Sequence, residues 1–165
     1  MNPKTIKTTV TLFVIVTLIL GGIKFREFYL AIGSPTGINP PDPLETELAE
    51  LISQYEDGSI SVIDLTSITR FSWDKVYIFG PYTQPSEIET AVGKSWQKNC
   101  NTEIASLENS TLLLFTNNEK VVHCTDYPMD KNDFVSLYRH TEGFSFNEAQ
   151  FTLSDTGNLI WIGNQ

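Results

Sequence analysis

The side chains best suited to chemistry lie between residues 123 and 142, where both histidines of the chain, one cysteine and several carboxylates occur. A cysteine nucleophile needs a histidine that is oriented toward it. His123 and Cys124 are adjacent in a segment that we expect to be a strand, so their side chains should point to opposite faces of the sheet. The sequence therefore argues against a Cys–His dyad and assigns no catalytic residue.

The same region could offer ligands to a metal ion, or acids and bases to an enzyme of unrecognised type. The residues that would serve are His123, Asp126, Asp130, Asp133, His140 and Glu142. Their spacing matches no zinc signature, and a calcium loop needs a tighter series of ligands around a central glycine. We expect a solvated acidic loop with no metal and no cofactor, and we keep the enzyme as the alternative function.

A second candidate site lies in the aromatic run from Phe71 to Gly93. We expect a central strand that ends at Gly80 and Pro81, because proline cannot donate to a sheet, and then a short helix that begins near Thr83. The candidate residues for binding a ligand or partner are Trp73, Asp74, Tyr77 and Tyr82. The alternative, which we favour, is that the aromatic side chains are core and that Asp74 pairs with neighbours, leaving Tyr82 the best exposed candidate.

The N-terminal residues 1–30 contain a run of 16 residues without a charge, from Thr8 to Ile23, flanked by lysines and an arginine. As a helix this run is about 24 Å long, and the aromatic residues after Lys24 extend it toward the roughly 30 Å of a bilayer core. We interpret residues 1–30 as a cytoplasmic tip and a transmembrane signal anchor. A cleaved signal peptide with Ala31 and Gly33 at its cleavage site is the alternative, although these residues lie well beyond the apolar run.

Residues 31–43 are rich in proline and glycine, which predicts a semi-rigid spacer before a domain that spans residues 44–165. From Ala31 onward there are 7 Lys and Arg against 19 Asp and Glu, a formal charge of −12. Phosphate backbones and anionic lipid surfaces repel such a domain, so nucleic-acid binding and peripheral membrane binding are excluded. We place the domain outside the cytoplasm, on the far side of a cell membrane that the chain crosses once.

The two cysteines of the chain, Cys100 and Cys124, agree with that location. An even number of cysteines outside the cytoplasm favours a disulfide, and two unrelated buried thiols are the alternative.

The remaining patterns predict an α+β domain in which two short helices lie on one face of an antiparallel sheet. Asp42 and Pro43 begin the first helix, which carries one apolar stripe and ends at Asp57 and Gly58. The expected strands, in chain order, are 59–65, 71–79, 111–115, 121–127, 134–138, 144–153 and 159–162.

Part of this pattern resembles a known group of proteins. The run from Trp73 to Thr83, Trp-Asp-Lys-Val-Tyr-Ile-Phe-Gly-Pro-Tyr-Thr, precedes a short acidic helix that ends at Gly93. It is similar to a segment of small uncharacterised bacterial proteins that are exported or membrane-anchored, and the hairpin around Asn117–Lys120 is similar to theirs too. The helix that ends at Gly93 before a hairpin also resembles β-lactamase-inhibitor-like and outer-membrane-assembly lipoprotein folds, although the lipid-attachment cysteine is missing. The resemblance implies location and fold but no activity.

These observations lead to one expected function. The chain is a membrane-anchored domain that binds another protein of the bacterial envelope, or a small ligand, and is not itself an enzyme. A part in a secretion system or a toxin–immunity pair, in which an acidic domain meets a basic partner, is a further alternative.

Overall fold

The computed structural model describes residues 42–129 and 134–163. They form two α-helices and two antiparallel sheets, which confirms the predicted α+β class. The helices are α1 (Pro43–Glu56) and α2 (Pro85–Val92), and the strands are β1 (Ile63–Asp64), β2 (Lys75–Phe79), β3 (Ser110–Asn117), β4 (Lys120–Pro128), β5 (Phe144–Ser145), β6 (Gln150–Leu153) and β7 (Leu159–Trp161).

The predicted anchor at residues 1–30 and nearly all of the spacer at 31–43 lie outside the described residues. Within residues 42–129 and 134–163, no helix has both the length and the apolar character needed to cross a bilayer.

The larger sheet has the strand order β4-β3-β2-β5, and the smaller has the order β1-β6-β7. The tight turn between β3 and β4 places Asn118 and Glu119 at φ 50° and 62°. Positive φ at both central residues is what the right-handed twist of a two-residue hairpin requires, and asparagine tolerates it better than most residues. Since β2 has a strand on each side, its predicted central position is confirmed.

The larger sheet is covered on both faces. On the first face, Val76, Ile78, Leu113 and Phe115 pack against the apolar stripe of α1 and against the smaller sheet. On the second face, the buried residues come from α2, from the segment after it and from the alternate positions of β3: Ile88, Val92, Trp96, Cys100, Ile104, Leu112 and Leu114. The prediction that both helices lie on one face is therefore wrong. A strand that is apolar on both faces needs a cover on each.

Four predicted strands differ from the structure. The strand predicted at 144–153 is divided into β5 and β6, which belong to different sheets, by the 3₁₀ helix Phe146–Glu148. The segment 59–65 contains only β1, because the Asp64 carboxylate accepts the backbone N–H of Thr66 at 2.8 Å and starts a short 3₁₀ helix. The strand predicted at 71–79 begins at Lys75. Residues 134–138, predicted as a strand, contain the 3₁₀ helix Val135–Leu137.

The start of α1 is as predicted. The Asp42 carboxylate accepts the backbone N–H of Leu44 at 2.9 Å, and Pro43 occupies the first helical position, where its missing N–H costs nothing. The second carboxylate oxygen of Asp42 lies 3.2 Å from Nε2 of His123 on β4. One side chain therefore starts α1 and connects it to the larger sheet.

We expect Asp42→Ala to lower the free energy of unfolding by about 1 kcal/mol, the usual contribution of such a cap. Asp42→Asn keeps a capping oxygen but removes the charge beside His123, so it should retain most of the stability. Chemical denaturation of the full chain with both variants measures the difference. Equal losses would show that the contact with His123, and not the cap, carries the effect.

Candidate functional site

The second face of the larger sheet is covered only in part. Beside α2, two cavities of about 720 and 940 Å³ open over β2, and Lys75, Tyr77 and Ala91 line both of them. We call the two cavities together the Tyr77 groove. Its floor is β2, and one wall is formed by α2 with Glu87, Thr90 and Ala91. The other wall of the smaller cavity is the segment 138–142.

Tyr77 is half-buried in the middle of the groove floor. Its ring lies parallel to that of Phe79, with the ring centres 6.3 Å apart, and both rings pack against the second-face core. Burial raises the pKa of the Tyr77 phenol, and the nearby carboxylates of Asp74, Glu142 and Glu119 raise it further. The groove is therefore an aromatic surface in a negative electrostatic field.

The charges around the groove are unbalanced. The carboxylates of Asp74, Glu87, Glu119 and Glu142 all line it, and Lys75 is the one lysine or arginine among its described lining residues. Nζ of Lys75 donates to the backbone carbonyl of Glu142 at 3.1 Å. The ion pairs found within residues 42–129 and 134–163 join other residues, namely Arg70 with Glu47 and Lys94 with Glu89.

Of the predicted binding residues, Tyr77 lines the groove, whereas Trp73 is 5% exposed in the first-face core. The indole N–H of Trp73 donates to the Thr69 hydroxyl at 2.8 Å, which satisfies its polar atom internally. The core interpretation therefore holds for Trp73, which does not line the groove.

Asp74 lines the groove, but its carboxylate is already occupied by the β3–β4 hairpin. One oxygen accepts the Thr116 hydroxyl at 3.0 Å, and the other accepts the backbone N–H of Asn118 at 2.6 Å. Asp74 thus pairs with neighbours, as the alternative interpretation predicted. It contributes negative charge to the groove and stabilises a turn that is distant in sequence.

Tyr82 is 53% exposed, as predicted, but it is not among the residues that line either cavity. It follows Pro81 in a turn closed by the Thr83 N–H and the Gly80 carbonyl at 3.4 Å. Its φ of 60° is unusual for a tyrosine. Its own N–H donates to the carbonyl of Ile104 at 3.0 Å, which connects this turn to the segment around Cys100.

The turn before α2 also explains Gly80. A Cβ at this position would lie 2.7 Å from the ring of Tyr138, so only glycine lets that ring pack against the end of β2. The N-cap of α2 is Gln84 rather than Thr83, whose hydroxyl donates instead to the carbonyl of Gly80 at 2.7 Å.

Cys100 and Cys124 lie at disulfide-bonding distance, with their Cα atoms 5.6 Å apart. Cys124 packs against the second-face core, whereas His123 lies beside Phe71 on the first face, with ring centres 4.7 Å apart. The prediction that His123 and Cys124 point to opposite faces is confirmed.

The acidic residues and histidines of the alternative enzyme do not converge as one group. Asp126 lies on the second face, where its carboxylate accepts the Thr102 hydroxyl at 2.5 Å and cannot meet His123 on the first face. Asp130 and Asp133 lie outside the described residues. His140 and Glu142 do line the smaller cavity, and no cluster of three or more potential metal ligands exists in the described part of the chain.

Sequence reasoning missed the wall of the groove that α2 provides. Glu87, Thr90 and Ala91 lie beside the buried Ile88 and Val92 on the helix, and the helical spacing itself could have indicated this. It considered His140 and Glu142 only as metal ligands or as acids and bases of an enzyme. No local signal brings residues 138–142 to β2, because that contact depends on the order of the strands.

No protein-family model matches this chain, and the comparisons with curated proteins and with solved structures give no match either.

We expect Asp74→Ala to lower the free energy of unfolding by about 2 kcal/mol, because two hydrogen bonds to a carboxylate are lost. Asp155→Ala, which removes an exposed carboxylate from the turn before β7, is the matched control and should change stability by less than about 0.5 kcal/mol. Denaturant unfolding of both variants measures the two values. A small effect at Asp74 would contradict its structural role.

The raised pKa of Tyr77 predicts a pH effect at the alkaline end. The fold favours the neutral phenol, so this contribution to stability is fully present below the ordinary pKa of about 10 and is lost as the pH rises through the folded pKa. Tyr77→Phe cannot ionise and should lose less stability than the wild type over that range. Unfolding measured across the alkaline range tests this, and parallel losses in both proteins would contradict it.

Proposed function

We propose that this chain is a single-pass membrane protein that holds an acidic α+β domain outside the cytoplasm, where the domain binds an envelope protein or a small ligand through the Tyr77 groove. The observation that carries the binding role is the pair of cavities that the half-buried Tyr77 lines together, on the part of the sheet that α2 leaves open.

The size and lining of the groove support binding. Volumes of about 720 and 940 Å³ fall within the range of ligand pockets in proteins. The rings of Tyr77 and Phe79 supply apolar surface at low cost in side-chain entropy, and the polar groups around them supply orientation and specificity.

The location rests on three features of the chain and on a resemblance. The charge-free run at residues 8–23 follows a basic start, and the proline-rich spacer separates it from the folded domain. The pairing of Cys100 with Cys124 supports an oxidising compartment, since structural disulfides persist outside the cytoplasm. The resemblance to exported and membrane-anchored bacterial proteins supports the same location.

An enzyme that uses His140 and Glu142 is the second candidate, because both residues line the smaller cavity together with Tyr77. A titratable side chain with a shifted pKa in a cleft is a feature of some active sites. However, the imidazole of His140 lies against Phe144 and Trp161, with ring centres 4.9 and 5.0 Å away, which restricts its motion. The two candidates differ in one outcome: the enzyme requires a turnover that His140→Gln abolishes while binding remains.

Site-specific photocrosslinking in intact cells tests the binding role. A photoreactive phenylalanine replaces Thr90, which is exposed on α2 at the groove, or Ser53, which is exposed on α1 and serves as the matched control. We expect an adduct from position 90 and none from position 53, and we expect Tyr77→Ala to reduce the adduct at equal amounts of folded protein. Equal adducts from both positions, or none, would contradict the groove as the binding site.

The same cells test the location. Alkylation of denatured protein should label Cys100 and Cys124 only after reduction. Free thiols without reductant, reached in intact cells by a permeant reagent but not by an impermeant one, would place the domain in the cytoplasm and overturn this part of the proposal.

A further inference from the structure

One edge of β2 is incompletely paired. β5 pairs with β2 only at Lys75 and Val76, so the described residues place no strand beside the edge from Tyr77 to Phe79. Ile78 lines the smaller cavity although the residue as a whole is only 3% exposed. Because its side chain belongs to the first-face core, the part that faces the cavity is its main chain.

The direction of the backbone groups agrees with this. The carbonyl oxygen of Val76 lies on the β5 side, 3.0 Å from the place that a Cβ on Gly143 would occupy. In an antiparallel sheet, residues two apart present their N–H and C=O groups to the same edge. Ile78 therefore presents its main-chain donor and acceptor to the cavity, between the two places where the Tyr138 ring and Gly143 approach β2.

An unpaired stretch of strand edge at the floor of a groove is suited to an extended chain. An added strand gains main-chain hydrogen bonds from the edge and gains specificity from the side-chain pockets beside it. The rings of Tyr77 and Phe79 lie next to this edge on the second face, where they can pack against the aliphatic stems of long side chains and attract cations.

The charge around the groove indicates which side chains such a segment carries. Glu87, Glu119 and Glu142 are exposed, line the groove and have no ion pair with any described residue. Burial raises the pKa of the Tyr77 phenol, and the same negative field, to which Asp74, Glu142 and Glu119 contribute, raises it further. Lysine and arginine complement this field, and an acidic segment would be repelled.

We propose that the Tyr77 groove binds an extended, lysine- or arginine-rich segment of a partner protein, which adds its main chain to the edge of β2 at Ile78 and directs its basic side chains to the surrounding glutamates. This inference rests on the proposed function, and it names the chemistry of the partner that binds at that site.

The first test uses the full chain in detergent and the fluorescein-labelled peptide acetyl-Lys-Val-Lys-Val-Lys-Val-amide, which alternates basic and β-branched residues. Fluorescence anisotropy should show saturable binding that weakens as salt is added. The peptide in which glutamate replaces every lysine should bind at least about tenfold more weakly. Equal binding of the two peptides, or no binding of the basic one, would overturn the proposal.

Variants of the chain separate the groove from general attraction to an acidic domain. The triple variant Glu87→Gln, Glu119→Gln and Glu142→Gln should bind the basic peptide with roughly tenfold lower affinity than the wild type. The control variant Glu50→Gln, Glu108→Gln and Asp155→Asn removes the same charge from exposed positions outside the groove. Equal weakening by the two variants would show that net charge alone binds the peptide.

Methylation of the peptide backbone tests the strand edge. In an added strand, alternate residues bond to the edge, so two peptides N-methylated on opposite alternating sets should differ in affinity by roughly tenfold. If neither set weakens binding, or both do so equally, the main-chain pairing is wrong. Spermine, a polycation without a peptide backbone, should compete poorly.

The outcomes also separate this inference from the proposed function. A specific crosslink from position 90 together with no binding of the basic peptide would support the groove as a binding site. It would overturn only the inference that the partner segment is basic. Failure of both experiments would overturn both.

Discussion

The burial of four consecutive residues, Leu112 to Phe115, is the constraint on which the rest of the structure depends. All four are 0% exposed, and in a strand successive side chains point to opposite faces, so the sheet needs an apolar cover on each side. α1 and the smaller sheet supply one cover, and α2 with the segment that follows it supplies the other. Because α2 has only 8 residues, the second cover is incomplete, and the Tyr77 groove is the part that remains open.

Local signals in the sequence predicted the elements that local interactions determine. Asp42 and Pro43 define the start of α1 through hydrogen bonds within a few residues, and the turn at Asn118 determines the β3–β4 hairpin. The errors occur where a local pattern competes with another local bond or with tertiary packing. The apolar residues at 60–65 suggested a strand, but the Asp64 carboxylate bonds to Thr66 and turns the chain into a 3₁₀ helix.

The candidate site was predictable only in part, for a related reason. Composition drew attention to the run around Tyr77, but it could not separate residues that line a surface from residues that fill the core. Trp73 is core because the chain before Lys75 is not yet a strand, so alternation does not apply to it. One hydrogen-bond partner of Asp74, Thr116, is 42 residues away in the sequence. Local residue spacing cannot predict a contact between residues so far apart in the chain.

The disulfide makes the segment that covers the second face depend on the redox state of two cysteines. Cys100 lies between Trp96 and Ile104 in the segment that closes the second face, and the carbonyl of Ile104 holds the backbone of Tyr82 in the turn that precedes α2. Oxidation of one pair of thiols therefore stabilises the segment that sets the position of a groove wall. The first core contains neither cysteine, whereas Cys100 belongs to the second core and Cys124 packs against it, so reduction would remove a covalent constraint from the second face alone. The stability of this groove wall therefore depends on the redox state of one cysteine pair, whereas the stability of the first core does not.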